Sequence, residues 1–182
     1  MEDLVTDIDK AQLNFIYIDS LYQSMTLHKI EKTSEPFIIT GTSPNIPLLY
    51  PKLGAYEALH SFGINNIYND SLRRDITDFY QLQLSRLNRV EREVWNLANE
   101  ELPAYLREIS EPTSTCIDCF SISDVSAKKA KFQMSIQQPT NKLLNLYRKL
   151  YFKYKGLHIG YRYTALTIEN LQKEIDKELE KK

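Results

Sequence analysis

Glycine is scarce, with 5 residues in a chain of 182. Glycine is the residue that most freely adopts left-handed backbone, so its scarcity argues against a phosphate-cradling loop and against an all-β fold full of tight turns. An excess of one charge sign is also missing. The 23 basic residues are balanced by 24 acidic ones, unlike the strongly basic balance of a general nucleic-acid binder. No apolar run reaches the roughly 18 residues expected of a membrane-spanning helix. The acidic start, Met-Glu-Asp-Leu-Val-Thr-Asp, lacks the basic and apolar regions of a secretory signal. No Gly-x-Ser-x-Gly, phosphate-loop or metalloprotease motif occurs. Cysteine is limited to Cys116 and Cys119, and a single pair does not fix the redox compartment.

What the chain does have is helical periodicity. Leu4, Ile8, Ala11, Phe15, Ile18, Tyr22 and Met25 step by alternating fours and threes, the spacing of one buried helical seam. Acidic residues crowd its start and Lys29 and Lys32 its end, as the helix dipole favours; the pattern predicts a helix over 3–30. Four prolines over 33–52 exclude a continuous helix there. Phe37-Ile38-Ile39 could extend as a strand only with a partner, so a long loop is expected. A short helix over 54–62 follows, closed by Gly63. Asn69 or Asp70 then caps a long helix with the stripe Leu72, Ile76, Tyr80, Leu84, Leu87, Val90, Val94 and Leu97. Pro103 is expected to kink or end that helix, with 104–109 adding a turn or two. The stretch 111–131 is irregular. Helix resumes at Asn141 with Leu143, Tyr147, Leu150 and Tyr154, and Gly156 and Gly160 predict a turn or kink before a last helix carrying Ile168, Leu171, Ile175 and Leu179.

These elements predict one all-α domain over 1–182: an antiparallel helical bundle with a long Pro-rich loop and an irregular insertion around 111–131. Segments 36–50 and 113–124 are the alternative, as a small hairpin on its side. Ile76, Leu84, Leu87 and Val94 are expected to pack against Phe15, Ile18 and Tyr22, because the two longest stripes each need a partner.

The segment Gly54-Ala-Tyr-Glu-Ala-Leu-His-Ser-Phe-Gly63, then Ile67, then Asn69-Asp-Ser-Leu-Arg-Arg-Asp-Ile-Thr-Asp-Phe-Tyr80, resembles an uncharacterised family of Gram-negative bacterial proteins. Asp19-Ser20-Leu21 and the final 175–182 are similar too, so the resemblance covers about two-thirds of the chain. It implies a single-pass membrane protein whose helical extracytoplasmic domain this chain would be, on the periplasmic face of the inner membrane if an anchor precedes Met1 and cytoplasmic otherwise. It implies no catalytic residue. Physically, Gly63, Asn69, Asp70, Leu72, Ile76 and Tyr80 make a helix–turn–helix corner, a structural role; recognition by Arg73, Arg74 and Asp75 is the functional alternative.

Three constellations could carry chemistry. Cys116-Ile-Asp-Cys119 is read as a candidate disulfide or two inert thiols: a zinc site needs four ligands, and a redox pair needs an acidified thiol in a suitable scaffold. Glu57 and His60 stand at i, i+3, but a di-iron bundle needs two such motifs and further glutamates. The run from Tyr147 to Tyr163 interleaves bases with aromatics, a composition suited to nucleic-acid stacking, an acidic membrane surface or protein partners; the bland alternative is an amphipathic helix with snorkelling bases. Arg148, Lys149, Tyr151, Lys153, Tyr161 and Arg162 are the candidate interaction surface. The expectation is a non-catalytic interaction or sensor domain, monomeric or weakly dimeric, that binds another protein, no nucleic acid and no cofactor. The alternatives are a cytoplasmic adaptor or assembly protein, and an enzyme whose loops bring Cys116, Cys119 and His60 together.

Overall fold

The computed structural model describes residues 2–32, 34–42, 54–110, 115–117 and 131–180. Its elements are α1 (Glu2–Glu31), β1 (Phe37–Thr42), α2 (Gly54–Gly63), α3 (Asp70–Asp78), α4 (Leu84–Asn96), α5 (Leu102–Ile109), β2 (Thr115–Ile117), β3 (Lys131–Ile136) and α6 (Asn141–Leu179). The architecture is all-α: four helical rods, with a small three-stranded sheet as an insertion. α3, α4 and α5 form one rod, joined end to end by π-helical turns at Phe79–Gln83 and Leu97–Glu101.

α6 is the spine. Leu143, Tyr147, Leu150, Tyr154, Leu157, Tyr161 and Thr164 are all buried on it, an unbroken alternation of fours and threes. α1 runs antiparallel along one side. Ile8 lies near His158, Phe15 near Tyr151, and Lys29 donates to the Asn141 side chain at 2.6 Å. The α3–α5 rod runs antiparallel along the other. Asn69 meets Glu178, Gln83 meets Thr167, Glu91 meets Tyr161, and Tyr105 meets Thr140. The partner of Phe15, Ile18 and Tyr22 is therefore chiefly α6 rather than the stripe of α4. Ile18, Leu87 and Val94 do belong to one apolar core with the α6 residues, whereas Ile76 and Leu84 are buried outside it.

The expected break at Gly156 and Gly160 does not occur; both lie within the 39-residue α6. A glycine in a helix interior costs only about 1 kcal/mol. Each large apolar side chain buried by continuing the stripe contributes about 1.5–3 kcal/mol, so packing outweighs propensity. Pro103 does not end the rod either. It stands in the first turn of α5, where a missing N–H costs nothing, beside the wide turn in which Leu102 donates to the Leu97 carbonyl.

Those π turns also rephase the core. The rod buries Leu72, Ile76, Phe79, Leu84, Leu87, Glu91, Val94, Leu97, Ala98, Leu102, Tyr105 and Leu106. The step of five from Phe79 to Leu84 falls on the first wide turn, and at the second the adjacent residues Leu97 and Ala98 are both buried. The rod thus keeps one face toward α6 over its whole length. Phe79 takes the inward position expected of Tyr80, and Glu91 that expected of Val90.

The extended piece at Phe37 has a partner after all. β1 pairs antiparallel with β3, Phe37 opposite Ile136 and Ile39 opposite Met134, and β2 pairs with the other edge of β3. Ile39 is buried and Ile38 exposed, the alternation of a half-buried strand. The pairing joins segments far apart in sequence, so no local pattern announces it.

The two α6 glycines give opposite predictions. A Cβ on Gly156 would meet nothing within 4 Å, while one on Gly160 would lie 3.2 Å from Leu87 Cδ1. Gly156→Ala should stabilise the fold by about 1 kcal/mol and Gly160→Ala by clearly less, measured by urea unfolding. Equal gains at both positions would contradict the close approach of α4 to Gly160.

Candidate functional site

The helix–turn–helix corner comes first along the chain. Gly63 adopts φ +107°, in the left-handed region, and the Asn69 side chain accepts from the Leu72 N–H at 3.1 Å. Asn69 is the cap; Asp70 is exposed and holds Arg73 at 2.6 Å. Leu72 and Ile76 are buried, and Tyr80 stacks on Tyr56 of α2 with ring centroids 4.4 Å apart. Arg74 and Asp75 point to solvent, as do Glu57 and His60. Cys116 lies in β2 with its Cα opposite Phe132, and Cys119 lies outside the described residues. Among the described residues no group of three or more His, Cys, Asp or Glu could hold a metal, and no helix is long and apolar enough to cross a membrane.

α6 places the candidate interaction residues unequally. Arg148, Lys149, Lys153 and Arg162 are exposed, and Tyr151 is half-buried with its ring edge-on to Phe15. Tyr161 is not on the surface: it is fully buried. The expected kink hid its phase, since the stripe through Leu143 and Tyr154 reaches Tyr161 only if the helix is uninterrupted. In place of Tyr161, the outermost line of α6 carries Phe152, Ile159 and Leu166, each more than half exposed. Along that line bases alternate with apolar side chains: Arg148, Phe152, Lys155, Ile159, Arg162, Leu166.

Beside this ridge lies a groove between α6 and the α4 rod, made of three hollows of about 420, 920 and 660 Å³. Gly156 and Val90 border the first two; Lys149, Phe152 and Glu101 border the last two. Leu82 and Tyr163, 50% and 64% exposed, close the end toward the α6 C-terminus. Lys153 bridges the groove to Glu93, and its hydrogen bond holds the Glu93 carboxyl below its ordinary value.

Under the groove the core is polar at one level. Tyr161 donates to Glu91 at 2.7 Å, and Glu91 is 2% exposed. Asp7 of α1, 9% exposed with Lys10 at 3.5 Å, adds negative field at Tyr161. Burial, then the bond and charge of Glu91, push the Tyr161 hydroxyl far above its ordinary value. The heptad places Tyr154 and Tyr147 one and two repeats earlier, and burial raises both. The Tyr154 hydroxyl is buried without a hydrogen-bond partner. Sequence reasoning missed Glu91 because Val90 beside it satisfied the apolar pattern.

The tyrosines separate by experiment. Tyr161→Phe should cost about 1–3 kcal/mol, because it withdraws a donor from a buried carboxylate. Tyr154→Phe should be neutral or stabilising by up to about 1 kcal/mol. Urea denaturation of both variants decides, and a loss at position 154 as large as that at 161 would contradict the burial pattern.

The same groups set an alkaline limit. Unfolded tyrosines ionise near 10.0, while the three buried ones keep their protons. Above that pH the unfolded chain binds fewer protons than the folded one, so stability falls as pH rises. Unfolding free energies measured from pH 8 to 11 should therefore decline from about pH 10 upward, and less steeply in Tyr154→Phe.

Comparison with protein-family models, curated proteins and solved structures finds no match to this chain.

Proposed function

We propose that this chain is a non-catalytic helical interaction domain that binds another protein through the α4–α6 face. One observation carries the proposal: the outer line of α6, the helix that organises the core, is alternately basic and apolar and stays open to solvent. A helix that spends one face on the core is expected to be polar on the other. Here Phe152, Ile159 and Leu166 are exposed instead, beside a groove. Clustered exposed apolar surface of this kind marks interaction sites, and aromatic and arginine side chains are the usual anchors of protein interfaces.

The tethered, periplasmic setting belongs to the proposal as well. It is supported by the resemblance carried on the 54–80 segment and by the acidic first turns of α1, since a cytoplasmic flank of a membrane anchor would be expected to be basic. In that setting α1 leads away from the membrane and the Asp3–Asp9 end lies nearest to it. The domain acts as a monomer or weak dimer, because two copies apposed through the basic α6 faces would repel.

A photocrosslinker at Phe152 in the full-length gene product, expressed in its native host, tests the interaction role. It should trap a discrete protein species that the same crosslinker at exposed Gln172 does not. Absence of any protein adduct specific to position 152 would refute the role. For the setting, a single cysteine at Ser20 on a cysteine-free background should react with a membrane-impermeant thiol reagent only after the outer membrane is opened, with the inner membrane left intact; labelling only after the inner membrane is broken would refute the tether.

A further inference from the structure

We infer that the α4–α6 groove receives an amphipathic helix of a partner protein with acidic residues along one edge. The inference rests on the interaction role proposed above and names its partner chemistry. Three observations on different properties converge.

The first is charge. The α6 wall of the groove carries Lys142, Arg148, Lys149 and Lys153 and no acidic residue. Lys153 is engaged by Glu93. The opposite wall carries Asp78, Glu93 and Glu101 against the single base Arg86. An occupant is thus drawn to the α6 wall through acidic groups and is disfavoured if its other edge is acidic as well, which calls for acidic residues on one edge only. A second copy of this chain presenting the same α6 wall would place base against base, which disfavours self-association there.

The second is shape. The hollows share residues and follow α6 from Lys142 to Thr164. At 1.5 Å per residue that is about 30 Å, the length of a helix of roughly 20 residues. Apolar anchors spaced along it, Leu82, Phe152 and Tyr163, suit the i, i+3, i+4, i+7 face of a helix in a groove. A lipid surface is flat and would be met by the ridge alone; the hollows beside the ridge would stay empty.

The third is Gly156. Gly160 has a structural reason, because Leu87 approaches it, but Gly156 has none: space around its missing Cβ is open and the residue is exposed at the junction of two hollows. Its absent side chain leaves the groove floor clear at mid-length, where an incoming helix would come closest.

The probe is a fluorescent synthetic peptide with a leucine stripe and glutamate flanks, titrated into the full chain and followed by anisotropy. The control keeps the stripe and replaces the glutamates with lysines. The acidic peptide should bind roughly tenfold tighter than the basic one, a difference of about 1.4 kcal/mol, and the gap should shrink with salt. Gly156→Leu should weaken the acidic peptide by about tenfold with an unchanged circular dichroism spectrum. If that variant misfolds, Arg148→Glu with Lys149→Glu must instead abolish the preference for acid. Equal binding of both peptides, no binding of the acidic one, or insensitivity to these substitutions overturns the inference. So does adsorption to phosphatidylglycerol vesicles without peptide binding, which would assign the basic ridge to a membrane surface. A protein adduct at Phe152 alongside any of these failures would leave the interaction role standing and remove only the acidic helix.

Discussion

Everything in this fold depends on one helix keeping a single phase for 39 residues. The buried line from Leu143 to Thr164 on α6 is contacted on one side by α1 and on the other by the α3–α5 rod. If α6 broke at Gly156, Leu157, Tyr161 and Thr164 would rotate off the core. Tyr161 would leave Glu91, and a carboxylate that is almost fully buried would lose a donor. Withdrawing a hydrogen-bond donor from a buried acid costs about 1–3 kcal/mol. The Tyr161–Glu91 bond therefore works with the apolar stripe: it penalises the shifted registers that an apolar core alone would tolerate.

The α3–α5 rod solves the complementary problem. A straight α-helix drifts relative to a repeat of 3.5 residues, and a rod this long would turn its core face away from α6. The two π turns each change the local phase, one between Phe79 and Leu84 and one between Val94 and Leu102. They also place Pro103 where its missing N–H is harmless. With the rod held in register, α4 approaches α6 closely at Gly160 and leaves a groove at Gly156. The outward face of the spine is thus a by-product of how its inward face is packed.

Much of this was legible from residues alone, and the failures have physical causes. α1, α2 and the corner at Gly63 and Asn69 carry local signals: a clean three-four period, a left-handed glycine, a side-chain cap. The sheet carries none, because Phe37 finds Ile136 only after the bundle brings the segments together. Glu91 was hidden by Val90, since apolar pattern alone cannot say which of two adjacent residues a π turn will rotate inward. Glycine propensity predicts a break that puts Tyr161 on the surface, and tertiary packing overrides it. Extending the stripe from Tyr154 by three and then four residues, through the glycines, would have found Leu157 and Tyr161. On the interaction face, the bases Arg148, Lys149, Lys153 and Arg162 were readable from composition. Phe152, Ile159 and the groove needed the helix phase.

Native-state amide hydrogen exchange across α6 tests the uninterrupted spine most directly. Amides from Leu157 to Thr164 should exchange as slowly as those from Leu146 to Leu150, both limited by global unfolding. Fast exchange confined to the stretch around Gly156 and Gly160, with slow exchange on either side, would mean that the helix breaks there and would contradict the account.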